Sequence, residues 1–384
     1  MNESSCVART YARPMDYRRM PIEAESPEQF GYDRIRFNLA ESSVADTPLR
    51  DLDVSLDDLV LLYGDHLGRP GLRAAIAAGA DGVTPDDVLV TPGAAAALFI
   101  ISTTLLQAGD HIVVARPNYA TNLETPVAIG ADIGYLDLTY EDGWAVDPDR
   151  VAAMLTPRTK LVSLTNPHNP TGQVIPEASI RAIVNLVDVH PQARLLIDET
   201  YREMTFGGPQ PVAATLSERV ISVSSLSKAD GLPGIRIGWL VTRDAALLER
   251  FLAAKEQILI TNSVVDEAIA EVAMARRADR LTTIRAGIER AFETTRTWFS
   301  GQDTFEWIEP HGGVVGFPRF RPDVTVDVDA FYRILLDEYG AVVGPGHWFD
   351  QSRRHFRLGY GWPSPDELAG GLAALSAAAE QARR

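Results

Sequence analysis

Lys228 keeps company that equips it for covalent chemistry. It closes Ser225-Leu226-Ser227-Lys228, a loop of small residues after the mostly apolar run Val220–Val223. A lysine at the mouth of a buried strand can lose its proton through desolvation and neighbouring cations, and the free amine then attacks a carbonyl. The ordinary alternative is a solvated loop lysine. Upstream, Asp198 ends the run Leu195-Leu196-Ile197. Acids at strand ends commonly face water or cap the next helix. At the edge of a buried strand a carboxylate can also hold a protonated heteroaromatic nitrogen.

Pyridoxal phosphate needs such a partner to act as an electron sink. Tyr201, three residues after Asp198, carries a phenol that could bond the 3-hydroxyl of that ring. Asn169 lies in the turn Asn166-Pro-His-Asn-Pro-Thr-Gly172, which two prolines and a glycine make rigid. Its amide could donate to the same oxygen, although as a bare turn it would mean nothing. Thr91-Pro92-Gly93-Ala94-Ala95-Ala96 follows a strand and opens a helix, so backbone N–H groups there can approach a phosphate. Ser225, Ser227 and Arg236 are further phosphate donors. Tyr119 could stack on a flat ring or simply pack in the core. Arg357 sits inside the short apolar run Phe356-Arg357-Leu358, where burial requires a partner. A substrate carboxylate would serve, and so would a structural ion pair.

These residues need a scaffold that brings strand ends together. Candidate strands are Val88–Thr91, His111–Ala115, Ile133–Leu136, Thr159–Leu164, Arg194–Ile197, Val220–Val223 and Ile237–Val241. Several are apolar throughout, as strands buried on both faces are. Helical patterns lie between them at Ala94–Leu106, Pro148–Leu155 and Pro176–Val189. The alternation predicts an α/β fold with a mostly parallel sheet between helices. A helical stretch from Ala245 to Phe299 reads as two helices joined near Ala278. Beyond it, Val314–Phe320 and Phe356–Gly359 read as strands, and Val328–Tyr339 and Pro365–Ala379 as helices. The division is a large domain over 46–279 and a smaller α+β domain formed by the arm 1–45 and residues 280–384.

Composition narrows the function. With 46% hydrophobic and 23% charged residues in 384, the chain has the makings of a large core. The net charge of −16 sets it against nucleic acid as a partner. Its most apolar stretch, Ala94–Leu106, falls short of the roughly 20 residues of a membrane span. The N-terminus has Arg9, Arg13, Arg18 and Arg19 but no apolar export core. The single cysteine, Cys6, suits a reducing cytoplasm. Seven histidines form no HExxH or Cys/His cluster, so no metal site is expected.

The order and spacing of Asn166–Gly172, Asp198-Glu-Thr-Tyr201, Ser225–Lys228 with Arg236, and Arg357 resemble the fold-type-I pyridoxal-phosphate enzymes, class I/II aminotransferases in particular, from about Tyr63 onward. The resemblance implies a homodimer with active sites at the subunit interface, moving an amino group between an amino acid and a 2-oxo acid. It implies Lys228 as the amine that carries the cofactor and shuttles a proton, Asp198 at the pyridine nitrogen, and Asn169 with Tyr201 at the 3-oxygen. Gly93, Ala94, Ala95, Ser225, Ser227 and Arg236 would surround the phosphate, Tyr119 would cover the ring, and Arg357 would hold the substrate carboxylate. Tyr63, in Tyr63-Gly-Asp-His-Leu-Gly68, matches the tyrosine that reaches a phosphate across the interface.

A narrower resemblance joins Lys228–Trp239 and Gly312–Phe320 to the capreomycidine-synthase kind of enzyme, which cyclises a hydroxylated arginine in antibiotic biosynthesis. It raises two expectations: a basic or arginine-derived amino acid as substrate, and elimination with ring closure as the alternative reaction. The chain also departs from common family members. Where they place a glycine-containing segment near the substrate, it has Asn38-Leu-Ala-Glu41-Ser-Ser43. Glu41, with Asp65 or Glu124, would then recognise a cationic group such as a guanidinium. The alternative is a solvated acid in an acidic protein. His347 and Trp348 stand in a loop like one near the family's site but are not its usual residues. A ligand-sensing regulatory domain, the third reading, is opposed by the acidic charge and the short arm.

Overall fold

The structure is a computed structural model that describes residues 15–383. Cys6, Arg9, Arg13 and the start of the arm lie outside the described residues. Seven strands form the main sheet: β1 (Val88–Thr91), β2 (His111–Arg116), β3 (Asp132–Asp137), β4 (Thr159–Thr165), β5 (Arg194–Asp198), β6 (Val220–Ser225) and β7 (Gly238–Val241). Their order is β1-β7-β6-β5-β4-β2-β3, and β7 alone runs antiparallel to its neighbours.

Helices cover both faces, which is why the strands read as apolar runs. Ile112, Leu161, Leu196 and Ile221 pack to one side, with Leu98, Ile101 and Phe251 from helices Gly93–Leu105 and Ala245–Glu256. Val113, Val162, Leu195 and Val220 pack to the other, with Ile183, Val184 and Val187 from helix Glu177–Val189. Leu196 is 1% exposed, so truncating it to alanine would cost about 2–5 kcal/mol.

The register aligns the strand ends that matter. Thr165 of β4 pairs with Asp198 of β5, and Asp198 with Val223 of β6. Ser225 and Thr91 both pair with Gly238 of β7. The chain segments leaving β1, β4, β5 and β6 therefore emerge along one edge. In open α/β sheets that carboxyl edge is where ligands bind.

Smaller sheets supply the opposite wall. Phe37–Asn38 pairs in parallel with Ala341–Val342. Phe356–Gly359 is the centre of a three-stranded sheet, between Val315–Gly316 and Gly344–Pro345. Helices Val328–Asp337 and Pro365–Ala382 pack over this region around Phe305, Phe331, Phe356 and Leu375. Gly359 N–H donates to the Leu39 carbonyl at 2.8 Å, which lays the chain around Glu41 beside Arg357.

The 245–299 stretch differs from expectation. It is three helices, Ala245–Glu256, Val264–Ala275 and Arg277–Ser300. The middle one starts where the Ser263 hydroxyl accepts the Asp266 N–H, a side-chain cap that supplies its own start signal. The expected strand Val314–Phe320 is two short pieces, Val315–Gly316 and Arg319–Phe320, broken around Pro318, which has no N–H to give a ladder. Among the described residues four α-helices went unforeseen: the short Pro21–Ala24 and Pro27–Phe30 in the arm, Pro70–Ala77, and Ala120–Ile129 with Pro126 inside it.

Candidate active site

Beyond β6 the backbone is pinned on two sides. Leu226 N–H donates to Ile237, and Val44 N–H donates to the Lys228 carbonyl at 3.2 Å. Lys228 is thereby fixed between the sheet edge and the segment Ser42–Val44. Its Nζ donates to Ser42 Oγ at 3.3 Å. Burial pulls the Lys228 ammonium below its ordinary pKa, Glu41 opposes the shift and Arg357 adds to it. An amine so placed gives up its proton readily.

Asp198 is buried at the end of β5. The Thr200 N–H and hydroxyl donate to its Oδ1 at 3.0 and 2.6 Å, which leaves Oδ2 for a ligand. Burial raises its pKa, and the Thr200 bonds and Lys228 act against that rise. A cation bound at Oδ2 would restore the charged form. Asn169 and Tyr201 are buried beside it. Asn169 Oδ1 accepts from Arg357 Nη1 at 3.2 Å, so the amide NH2 is left to donate elsewhere. Burial pushes the Tyr201 phenol up to about 12, with Arg357 and Ser42 pulling the other way. The phenol stays protonated and can donate.

At the edge of β1, the N-terminus of helix Gly93–Leu105 faces the Arg236 guanidinium. Gly93 has φ +78°, and a Cβ there would meet Arg236 Nη2 at 2.5 Å. Gly238 is equally constrained, since a Cβ would lie 2.5 Å from Ala94 N. Arg236 itself holds a left-handed φ of 49° and donates to Ser227 Oγ at 3.4 Å. Helix dipole, exposed N–H groups, serine hydroxyls and a guanidinium together form an anion cradle.

Arg357 reaches the same space from the small sheet. Its Nη2 donates to the Ala40 carbonyl at 2.6 Å, while its buried Nε makes no hydrogen bond among the described residues. An unmet buried guanidinium donor costs free energy until an acceptor such as a carboxylate arrives. Burial raises the Glu41 carboxyl pKa, and Lys228 is the largest influence against it.

One cavity of about 400 Å³ is lined by Lys228, Asp198, Asn169, Tyr201, Ser225, Ser227, Arg236, Ala94, Ala95, Tyr119, Arg357 and Glu41. These positions, scattered from 41 to 357 in sequence, meet in one place, with Gly93 adjoining at the helix start. Others do not join them. Glu124 pairs with Arg18 instead, and Asp65 lies near Arg73 and caps Leu67 N–H. Neither lines the cavity of this chain. Tyr63 is exposed and away from it. Sequence reasoning missed Ser42, Thr200, Glu23 and Glu28, all of which line the cavity. The two glutamates come from short helices, Pro21–Ala24 and Pro27–Phe30, whose prolines at the first position were the signal available.

The donor set fits pyridoxal phosphate: a desolvated amine, an acid with an open oxygen, two 3-oxygen donors, and a phosphate cradle that a Cβ at Gly93 would fill. Site and sheet together define a pyridoxal-phosphate-dependent enzyme of fold type I. The chain belongs to the aminotransferase class I and II family, whose model matches residues 43–375. It is 35% identical over 328 residues to capreomycidine synthase of Streptomyces vinaceus, covering 84% of this chain and 82% of that one. To arginine–pyruvate transaminase of Pseudomonas aeruginosa it is 30% identical, covering 82% of each. Among solved structures, a PLP-dependent aminotransferase from Streptococcus suis aligns with a TM-score of 0.86 at 25% identity, covering 94% of this chain and 98% of that one. The PLP-dependent cyclase OrfR aligns with a TM-score of 0.84 at 28% identity, covering 96% and 99%. Among the described residues no helix is long and apolar enough to cross a membrane, and no group of His, Cys, Asp or Glu could hold a metal.

Proposed function

We propose that the enzyme moves the amino group of a cationic L-α-amino acid, arginine or a derivative, to a 2-oxo acid. The observation that carries this is the meeting of Arg357 and Glu41 in one cavity on which Lys228 opens. A carboxylate clamp and an anionic group then flank the reacting amine. Bound pyridoxal phosphate supplies an electron sink for the pair left when the Cα–H bond breaks. Lys228 Nζ would hold the cofactor and, once the substrate amine has displaced it, would carry the proton from the substrate Cα to the cofactor carbon that Nζ had held. Asp198 keeps the ring nitrogen protonated, and Asn169 and Tyr201 donate to the 3-oxygen. Gly93, Ala94, Ala95, Ser225, Ser227 and Arg236 hold the phosphate, with Tyr63 reaching it from a second copy. Tyr119 covers the ring. Arg357 orients the substrate so that its α-proton faces Lys228, and Ser42 fixes Nζ while it is free of the cofactor.

The assembly is a homodimer, with the large domain spanning about 46–279 and the rest forming the small one. The break at Arg276 between two helices supports a division there. A single cysteine in 384 residues supports a cytoplasmic setting. The likeness to capreomycidine synthase favours a second reading, elimination and ring closure on a hydroxylated arginine in antibiotic biosynthesis.

A mass-spectrometric product screen separates the two. The loaded enzyme is given amino acids, including arginine and its hydroxylated forms, with and without a 2-oxo acid. A 2-oxo product that accumulates only with acceptor supports amino transfer. Loss of water or ring closure without acceptor supports the second reading. Glu41→Ala is expected to erase the preference for cationic over neutral donors, and an unchanged preference would overturn Glu41's part.

A further inference from the structure

His347 and Trp348 have a shared partner that catalysis does not use. The Trp348 indole Nε1 donates to Glu25 Oε2 at 2.9 Å, and His347 Nε2 bonds the same oxygen at 2.7 Å. Glu25 caps the C-terminus of the short helix Pro21–Ala24. Trp348 is 4% exposed, and its ring lines the active cavity beside Ile22, Pro27 and Ala40. One carboxylate oxygen thus ties the arm to a wall of the active site. Two neighbours of Glu25 in sequence, Glu23 and Glu28, line that cavity.

We infer that Glu25 is a positioning residue for substrate recognition, latching the arm down so that Glu23 and Glu28 face the cationic end of the substrate. The physical reason is the buried indole N–H, which costs free energy when its acceptor is lost. Releasing Glu25 strips that acceptor and loosens the short helices, each only four residues long and dependent on docking to persist. Met20 and Ile22, 5% and 8% exposed, seat the arm by apolar packing on the large sheet's cluster, and Glu25 adds the polar tie to the Trp348 wall. The Arg18–Glu124 pair has Arg18 71% exposed, and such a pair contributes little. The presented chemistry rests on the cationic-donor reading. The latch itself does not.

The test compares wild type, Glu25→Ala, Glu25→Gln and Trp348→Phe as cofactor-loaded enzymes. Hydrogen exchange of the 20–31 amides reads the latch without any substrate. Glu25→Ala is expected to speed exchange at least about fivefold, with Glu25→Gln intermediate because its amide oxygen still accepts from Trp348. For the donor found in the product screen, KM should rise roughly three- to tenfold in Glu25→Ala while kcat changes less than about twofold. Trp348→Phe should follow Glu25→Ala in direction. Unchanged exchange in Glu25→Ala overturns the latch whatever the donor is. Faster exchange with unchanged KM overturns the positioning role. A neutral donor in the screen overturns the cationic reading and leaves the exchange result standing.

Discussion

Arg357 Nη1 donates to Asn169 Oδ1 at 3.2 Å, although 188 positions separate the two residues. The bond joins the small sheet to the turn after β4. The guanidinium that would clamp a carboxylate also sets which face of the Asn169 amide points to the cofactor. Arg357→Lys therefore removes two things, the planar fork and the support of Asn169. The expected loss is about 3 kcal/mol, or roughly a hundredfold in kcat/KM, carried mostly by KM. Steady-state kinetics on the identified donor checks it. A loss confined to kcat would mean that Arg357 does not grip the ground-state substrate.

Lys228 is expected to be indispensable for a separable reason, because in the proposed reaction it would both attach the cofactor and move the proton. Lys228→Ala should lower turnover by at least about 10⁴-fold. Borohydride should fix cofactor to the wild-type chain and not to the variant, as intact mass will report. A variant that still takes up the label would place the attachment on another amine.

The sheet was legible because its strands are buried on both faces. Leu161–Leu164 and Leu195–Ile197 could be read as apolar runs, and the residues just past their ends, Asn169 and Asp198, follow locally from the chain. Arg357 was legible for the converse reason, a charge inside an apolar strand. Glu23, Glu28 and Ser42 were not, since the arm has no periodicity and reaches the cavity only by docking on distant strands. That Asp65 lies beside Arg73 and Glu124 beside Arg18 was not legible either, because spacing alone does not pair them. The break before Val264 hung on one hydroxyl, Ser263, inside a stretch whose apolar pattern reads as continuous.

His168 gives the stability a pH dependence. It is 3% exposed, between the Pro117 carbonyl on Nε2 and Thr171 Oγ1 on Nδ1. Pro117 can only accept, so in the neutral ring Nε2 carries the proton and Nδ1 accepts from the Thr171 hydroxyl. Burial pushes the ring down to about 4 from its ordinary 6.5. Between those values the unfolded chain takes up a proton that the folded one refuses. Stability is therefore intact above pH 6.5 and lost as pH falls towards 4, by on the order of 3 kcal/mol from this group. Burial likewise lowers His355 to about 4, so the effect of the two accumulates. His168→Asn should flatten the fall of Tm between pH 6.5 and 4 by about one proton's worth, even if it lowers Tm at pH 7. Parallel wild-type and variant curves would exclude His168 as the source.

Val60, Leu61, Leu62 and Tyr63 are 68%, 77%, 60% and 77% exposed, four successive apolar side chains facing solvent in the single chain. A contiguous run of this kind marks an interaction surface. Beside it, Leu59, Val60, Leu62 and Val264 line a groove that a second copy could fill, and self-association in pairs is the commonest closed arrangement. The expected solution mass is about twice 41.9 kDa. Leu61→Asp with Leu62→Asp would place charges in that surface, and sedimentation should then return a single chain. Because Tyr63 would be withdrawn from the other copy's phosphate, cofactor affinity should fall with dissociation, by about tenfold for the loss of one charge-assisted hydrogen bond. Tyr63→Phe separates the two effects: the pair should persist while cofactor affinity falls. A wild-type monomer at micromolar concentration, or Tyr63→Phe with undiminished affinity, would remove Tyr63 from the site.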